Sequence, residues 1–252
     1  MLGRALLFAA CLPVFISCGT RPAVGNPEDR QVIKFGRSAQ DSSWLKQRKT
    51  MVERQIRHRG VKDERVLVAM ETVKRHAFIP DEQQALAYGD HPLPIGYNQT
   101  ISQPYIVALM TELLEPQPGD TVLEIGTGSG YQAAVLANLV AHVYSIEIVE
   151  PLCKRASETL ATESGGNVTV LCGDGYDGWP EHAPFDGIVL TAAPKTVPLP
   201  LLDQLAEGGR LVVPEGKYNQ DLVVYEKLNG ETKRRKVIPV RFVPMTGKAE
   251  DN

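Results

Sequence analysis

The stretch Thr121-Val122-Leu123-Glu124-Ile125-Gly126-Thr127-Gly128-Ser129-Gly130 constrains this chain more than any other, because an apolar run of strand length passes directly into three alternating glycines. Glycine at 126, 128 and 130 permits a tight turn and the close approach of a ligand. A helix opening at Tyr131 adds unpaired amides that point at it. The spacing is G-x-G-x-G, whereas the dinucleotide fingerprint needs one more residue before its last glycine, so a pyrophosphate cradle is not expected. The next apolar run ends in Glu147, the right type and approximate distance for hydrogen bonding to ribose hydroxyls. The loop therefore predicts a nucleotide-like ligand held by backbone.

The surrounding pattern alternates. Helical spacing over Tyr131 to Leu139, strand over His142 to Ile146, helix over Pro151 to Leu160, and strands over Asn167 to Leu171 and Phe185 to Leu190 follow in order. A short helix around Leu199 to Ala206 precedes a strand at Arg210 to Val213. This is the signature of an α/β layer sandwich around a mostly parallel sheet. The tail departs from it: Asp221 to Lys227 and Thr232 to Val243 are β-rich runs joined at Asn229-Gly230, a strong hairpin signal that predicts a C-terminal antiparallel pair. Upstream, Trp44 to His58 is helical in spacing, and a second helix runs from Asp63, a capping residue, to Val73. A third covers Ser102 to Leu114, with Ser102 at its cap and Pro104 in its first turn. Between them, His76 to Thr100 carries several Pro and Gly residues and reads as a long irregular loop, a kind that is usually functional.

With 252 residues, 43% of them hydrophobic, the chain suffices for one well-filled core. A net charge of −3 offers no single-sign field for nucleic acid. Residues 1–20 hold one cation, an apolar run and Ser17-Cys18-Gly19, and read as a signal peptide. The ending Ile16-Ser17-Cys18 resembles the lipobox of bacterial lipoproteins, which makes Cys18 a candidate lipid anchor. Residues 21–43 have the composition of a flexible tether. Residues 44–247 form one folded domain: a helical, substrate-side region over 44–118, an α/β core over 119–214 and C-terminal strands over 215–247. Beyond Cys11 and Cys18 only Cys153 and Cys172 remain. Both read as small buried hydrophobes, with a bond between them possible in an oxidising compartment.

Gly173-Asp174-Gly175 follows the third parallel strand at the ligand-bearing edge. Asp174 can accept from an adenine amino group or make a turn with its own backbone. Asp186 begins a strand at the opposite edge and reads as a solvated turn. No G-x-S-x-G elbow, Gly-Lys-Ser/Thr phosphate loop or metal-ligand spacing occurs, so no metal is expected. His58, His76, His91, His142 and His182 are scattered and read as structural or exposed.

Four separated stretches resemble the protein-L-isoaspartate O-methyltransferase family of bacterial type. They are Arg75-His76-Ala77-Phe78-Ile79-Pro80, the block from Pro92 to Tyr105, the loop Glu124 to Gly130, and Gly173-Asp174-Gly175-Tyr176-Asp177-Gly178-Trp179 continuing to Asp186. The ending Val240 to Met245 also matches. The family consists of S-adenosylmethionine-dependent enzymes that repair isomerised aspartyl residues in other proteins. The resemblance implies a Rossmann-like class I methyltransferase fold, with S-adenosylmethionine held by Glu124, Gly126, Thr127, Gly128, Gly130, Glu147, Gly173 and Asp174. It carries the family's catalytic serine onto Ser102, with Ile95, Gln99 and Thr100 lining the substrate entrance. Arg241 is a candidate peptide contact, although an arginine on an edge strand is more often solvated. Isoaspartyl proteins and peptides are the implied partners, and a monomer is the family expectation. Asn98 stands where glycine is common in the family, and tolerates left-handed backbone. Cytoplasm is the family norm, against which the leader points to export. Other carboxylates as methyl acceptors, or a non-catalytic binding role, are the alternatives.

A carboxylate with an ordinary pKa near 4 is already ionised at neutral pH, so the implied transfer needs no general base. Alignment of oxygen, methyl and sulfur, with exclusion of water, is then the protein's task. Ser102 would orient the carboxylate as a hydrogen-bond donor.

Overall fold

A computed structural model describes residues 40–250. The leader of residues 1–20, with Cys11 and Cys18, and the tether as far as residue 39 lie outside the described residues. The chain divides after Ser42, and the fold below is that of residues 43 onward. Residues 40–43, expected to be tether, are already helical.

Helix α1 (residues 40–50) runs into a π-helical turn at Met51–Ile56 and a 3-10 turn at Arg57–Arg59, and Gly60 closes it in the left-handed region. Helix α2 (Glu64–Thr72) has the expected cap, with the Asp63 carboxylate accepting from the Arg65 amide at 2.8 Å. The expected irregular run is more ordered than its sequence implies. It holds 3-10 turns at Arg75–Phe78 and Asp81–Leu86 and a hairpin of β1 (Leu93–Gly96) and β2 (Gln99–Ile101). Tyr97 and Asn98 make its turn with φ of 53° and 58°. Left-handed geometry at both positions is what a two-residue hairpin turn needs, so Asn98 sits where the family glycine would. Helix α3 (Pro104–Leu114) begins later than expected. Pro104 restricts Gln103 to extended geometry, φ −51° and ψ 135°, so Gln103 is the cap residue and Ser102 is not.

The main sheet comprises β3 (Thr121–Ile125), β4 (His142–Glu147), β5 (Val168–Cys172), β6 (Phe185–Leu190), β7 (Leu205–Glu215), β8 (Gln220–Leu228) and β9 (Glu231–Val240), with spatial order β5-β4-β3-β6-β7-β8-β9. The first five in that order are parallel, and β8 and β9 close the sheet antiparallel. The β8–β9 turn falls on Asn229 and Gly230, both left-handed, as the sequence predicts. Helices α4 (Tyr131–Ala137), α5 (Glu150–Glu163) and α6 (Leu199–Asp203) make the crossovers. Period-two alternation sends Val122, Val143, Val189, Val212 and Val224 to the core under α1–α5. Leu123, Ile125, Ile188, Leu190, Leu211 and Val213 go to a second core on the other face. Burial on both faces is why these strands read as continuous apolar runs. The architecture is that of a Rossmann-like class I methyltransferase, with N-terminal helices and a C-terminal antiparallel hairpin.

Two readings need correction. Cys153 and Cys172 are not two independent buried hydrophobes: a disulfide joins them, tying the fully buried start of α5 to the exposed end of β5. Asp186 is not merely a solvated turn, since its carboxylate accepts from the Thr121 amide at 2.8 Å and fixes the start of β3.

Candidate active site

The carboxyl ends of β3, β4 and β6 open onto a cleft. The strand order reverses between β3 and β6, which is where an open α/β sheet forms its ligand crevice. Gly126, Gly128 and Gly130 have φ of 97°, 54° and 89°, a region that L side chains avoid. They do different work. A Cβ at Gly126 would run into Thr191 Oγ1, and one at Gly130 would stand 3.1 Å from Leu160 Cγ, so these two allow close packing against β6 and α5. Gly128 has only Ile95 Cδ1 within reach, at 3.6 Å, and offers open backbone on the cleft wall.

Glu147 holds this loop in place. Its carboxylate accepts from the Gly128 amide at 2.7 Å and from the Val149 amide at 2.9 Å. Each oxygen keeps a second lone pair for a ligand hydroxyl. Behind the loop, Glu124 is fully buried. It accepts from Ser145 Oγ at 2.5 Å, and Ser145 in turn shares a 2.6 Å hydrogen bond with Thr127 Oγ1. Burial pushes the Glu124 carboxyl up to about 8, the Ser145 hydroxyl opposes the shift and the nearby Glu147 charge adds to it. Its other oxygen has no partner among the described residues.

Asp174 combines both of its sequence readings: it makes a turn, accepting from the Tyr176 amide at 2.9 Å, and it stands on the cleft wall. Its second oxygen accepts from the Lys248 amide at 2.8 Å. Gly173 does not border the cleft, and its amide donates to the Glu147 carbonyl at 2.9 Å. Gly175 takes that place on the wall, where a Cβ would stand 2.6 Å from Ile125 Cγ2.

The opposite wall was not foreseen. Val243 to Thr246 form a strap along it, stitched to Ala193 by two 2.8 Å bonds: the Ala193 amide donates to the Val243 carbonyl and the Met245 amide to the Ala193 carbonyl. Thr191 at the end of β6 was also missed; its hydroxyl bonds the Gly126 carbonyl. Neither carries a local signal, since each matters only through a contact far along the chain.

A second groove runs between the β2 end of the hairpin and the end of β9 with the segment that follows it. Thr100, Ser102, Thr191 and Val243 border both cavities. The Ser102 hydroxyl makes no hydrogen bond with any described residue and is half-buried at this neck. Gln99 lies on the cleft side, and Arg241 is exposed along the groove. Ile95 does not line an entrance: it is fully buried beneath the hairpin, where its side chain packs on the glycine loop and its carbonyl accepts from Arg155 at 2.5 Å. Arg59, which sequence reasoning passed over, borders the groove, pairs with Asp90 at 2.6 Å and stacks 3.5 Å over the Tyr105 ring. None of the five histidines borders either cavity.

Residues 46–250 match the family described as protein-L-isoaspartate(D-aspartate) O-methyltransferase. A protein-L-isoaspartate O-methyltransferase of Gloeobacter violaceus is 56% identical over 198 residues, covering 78% of this chain and 97% of that one. One from Opitutus terrae is 50% identical over 217 residues, covering 85% and 93%. Among solved structures, a Plasmodium falciparum homologue in complex with S-adenosyl-L-homocysteine superposes with a TM-score of 0.69 at 27% identity, over 79% of this chain and 98% of that one.

Proposed function

Because the chain belongs to the protein-L-isoaspartate O-methyltransferase family, we propose that it methylates the α-carboxylate of L-isoaspartyl residues at the neck where Ser102 stands between cleft and groove. The observation that carries this assignment of Ser102 is its uncommitted hydroxyl on the border of both cavities.

The cleft suits S-adenosylmethionine. Open backbone at Gly128, acceptor oxygens on Glu147 and Asp174 and apolar surface from Ile146, Ile148 and Met245 match a ligand with ribose hydroxyls, an adenine and a cationic sulfur. The group supplies an electrophilic methyl. Glu147 would accept from the ribose hydroxyls while keeping the glycine loop fixed, and Asp174 would face the adenine edge. Ser102 would donate to one oxygen of the incoming carboxylate and leave the other aimed into the cleft. Thr191 and Val243 narrow the neck, which excludes water from a reaction that consumes opposite charges. No base is required, since the carboxylate arrives ionised. The neighbouring backbone amide nitrogen then attacks the ester carbonyl and displaces methanol, giving a succinimide without further help, and hydrolysis by water returns part of it to normal aspartate. One chain carries both cavities, which supports action as a monomer.

In this reading the enzyme works outside the cytoplasm, anchored through Cys18. The leader supports this, as does the Cys153–Cys172 disulfide, a bond at home in an oxidising compartment. Mass spectrometry of the native protein's N-terminus tests it: a diacylglyceryl Cys18 is expected, and an intact Met1 would overturn it. The reaction is tested with labelled S-adenosylmethionine, an isoaspartyl peptide and its normal aspartyl twin. Label on the isoaspartyl peptide alone is expected. Equal label on both, or none, would overturn the assignment.

A further inference from the structure

The run Lys233-Arg234-Arg235-Lys236 puts four consecutive cations on β9, in a chain whose net charge is −3. β9 is the edge of the main sheet. On an ordinary strand these side chains would alternate, two to each face. One pair is spoken for: Arg234 bonds Glu215 and Lys236 bonds Asp221 at 2.6 Å. Lys233 and Arg235 are exposed, and neither forms an ion pair with any described residue. Glu226 stands opposite Lys233 across the ladder, but Arg210 holds that carboxylate at 3.1 Å, and Arg235 faces the apolar Val224.

An irregularity in β9 decides where this free pair points. Val223 pairs with Lys236 and Leu222 with Ile238, so Val237 is an extra residue, a bulge that reverses the parity of the strand beyond it. Lys233 and Arg235 consequently share a face with Ile238 and Val240, opposite Glu226, Val224, Leu222 and Gln220 in turn. Ile238 and Val240 border the groove at Ser102, and the exposed Arg241 continues it. The result is one track: two unpaired cations, an apolar pair, a third unpaired cation, then the neck.

Building on the repair reading, we propose that Lys233, Arg235 and Arg241 form a substrate-selecting track that takes isoaspartyl chains carrying acidic residues on one flank of the damaged site. Arg235 stands five positions from Val240 in the groove and eight from Val243 at the neck, roughly 17 to 27 Å along an extended chain. The favoured acidic residues therefore lie about five to eight residues from the isoaspartyl position. Exposed ion pairs are individually weak, so the set predicts about a three- to tenfold preference, expressed in KM and screened by salt. Cations on a sheet edge also discourage edge-to-edge aggregation, and that role alone predicts no substrate preference.

The test uses the full chain and isoaspartyl peptides bearing four Glu or four Gln residues, about five to eight positions away on either flank. Methylation of the Gln peptides reports the repair reaction itself, and the Glu-to-Gln ratio of kcat/KM reports the track, so failure of one is distinct from failure of the other. A ratio of about three to ten on one flank is expected at low salt, falling towards unity at high salt and in the double variant Lys233→Gln/Arg235→Gln. A ratio of one at low salt, or a preference undiminished in the double variant, overturns the proposal.

Discussion

Two side chains decide the chemistry at the smallest scale. Ser102 was expected to share its hydroxyl between a helix cap and a substrate, and the structure removes the first duty by moving the cap to Gln103. Ser102→Ala should therefore cost little stability, within about 0.5 kcal/mol, instead of the 0.5–2 kcal/mol or so that losing a cap costs. Its kcat/KM should fall about 10- to 100-fold, the value of a hydrogen bond to a charged group. Steady-state kinetics and thermal unfolding on the same preparation separate the two, and unchanged kinetics would remove Ser102 from the site. Glu124 acts through its proton. With the folded-state value near 8 and an ordinary value of 4.5, the folded protein holds a proton that the unfolded chain lacks between those limits. The group's contribution is therefore fully present below about pH 4.5 and is lost as pH rises through 8. Tm of the wild type should drop more steeply between about pH 5 and pH 8 than Tm of Glu124→Gln, and parallel slopes would show that the carboxyl ionises without penalty. Glu147 and Asp174 were legible because strand ends and glycine spacing mark them. Arg155 and Thr191 were not, because their partners are Ile95 and Gly126, far away in sequence.

Among the elements, the β1–β2 hairpin is the one most dependent on distant support. Arg75, fully buried, donates to the Ala87 carbonyl at 2.8 Å and pins the approach to it, while Arg155 reaches across from α5 to the Ile95 carbonyl. Arg155→Ala should leave the sheet intact but loosen Leu93 to Ile101. Faster amide exchange confined to that hairpin, and a several-fold higher KM for peptide, are the expected readouts. Exchange unchanged at Ile95 would show that packing on the glycine loop suffices. The Cys153–Cys172 bond closes a loop across α5 and β5, and its loss by Cys153→Ala should cost about 3 kcal/mol, seen as a lower denaturant midpoint. A midpoint equal to that of the wild type would mean that the bond constrains nothing. The parallel strands were readable because burial on both faces leaves unbroken apolar runs. The hairpin was hidden because its turn is Tyr97-Asn98, not an Asn-Gly pair, and its strands are short and interrupted by Pro94. The helix cap was misplaced because Pro104 constrains the residue before it more strongly than Ser102 attracts helix amides.

For the molecule as a whole, the α/β core, the C-terminal hairpin and the position of the cofactor loop could all be read from hydrophobic periodicity and turn residues. What could not be read is how the C-terminal segment returns across the sheet to the cleft. Val240 to Met245 were legible only as a familiar ending, yet they make one wall of the cleft, and Lys248 beyond them bonds Asp174 and Asp177. Gly247 makes that approach possible, because a Cβ there would stand 2.7 Å from Ile148 Cδ1 and closer still to the Asp174 carboxylate. This arrangement sets the order in which the protein becomes an enzyme. During synthesis the glycine loop emerges long before the strap that completes its pocket, so a nascent chain cannot recruit S-adenosylmethionine to guide its own folding. The second wall of the cleft is the last part of the pocket to leave the ribosome, since residues 243–246 follow every strand of the sheet.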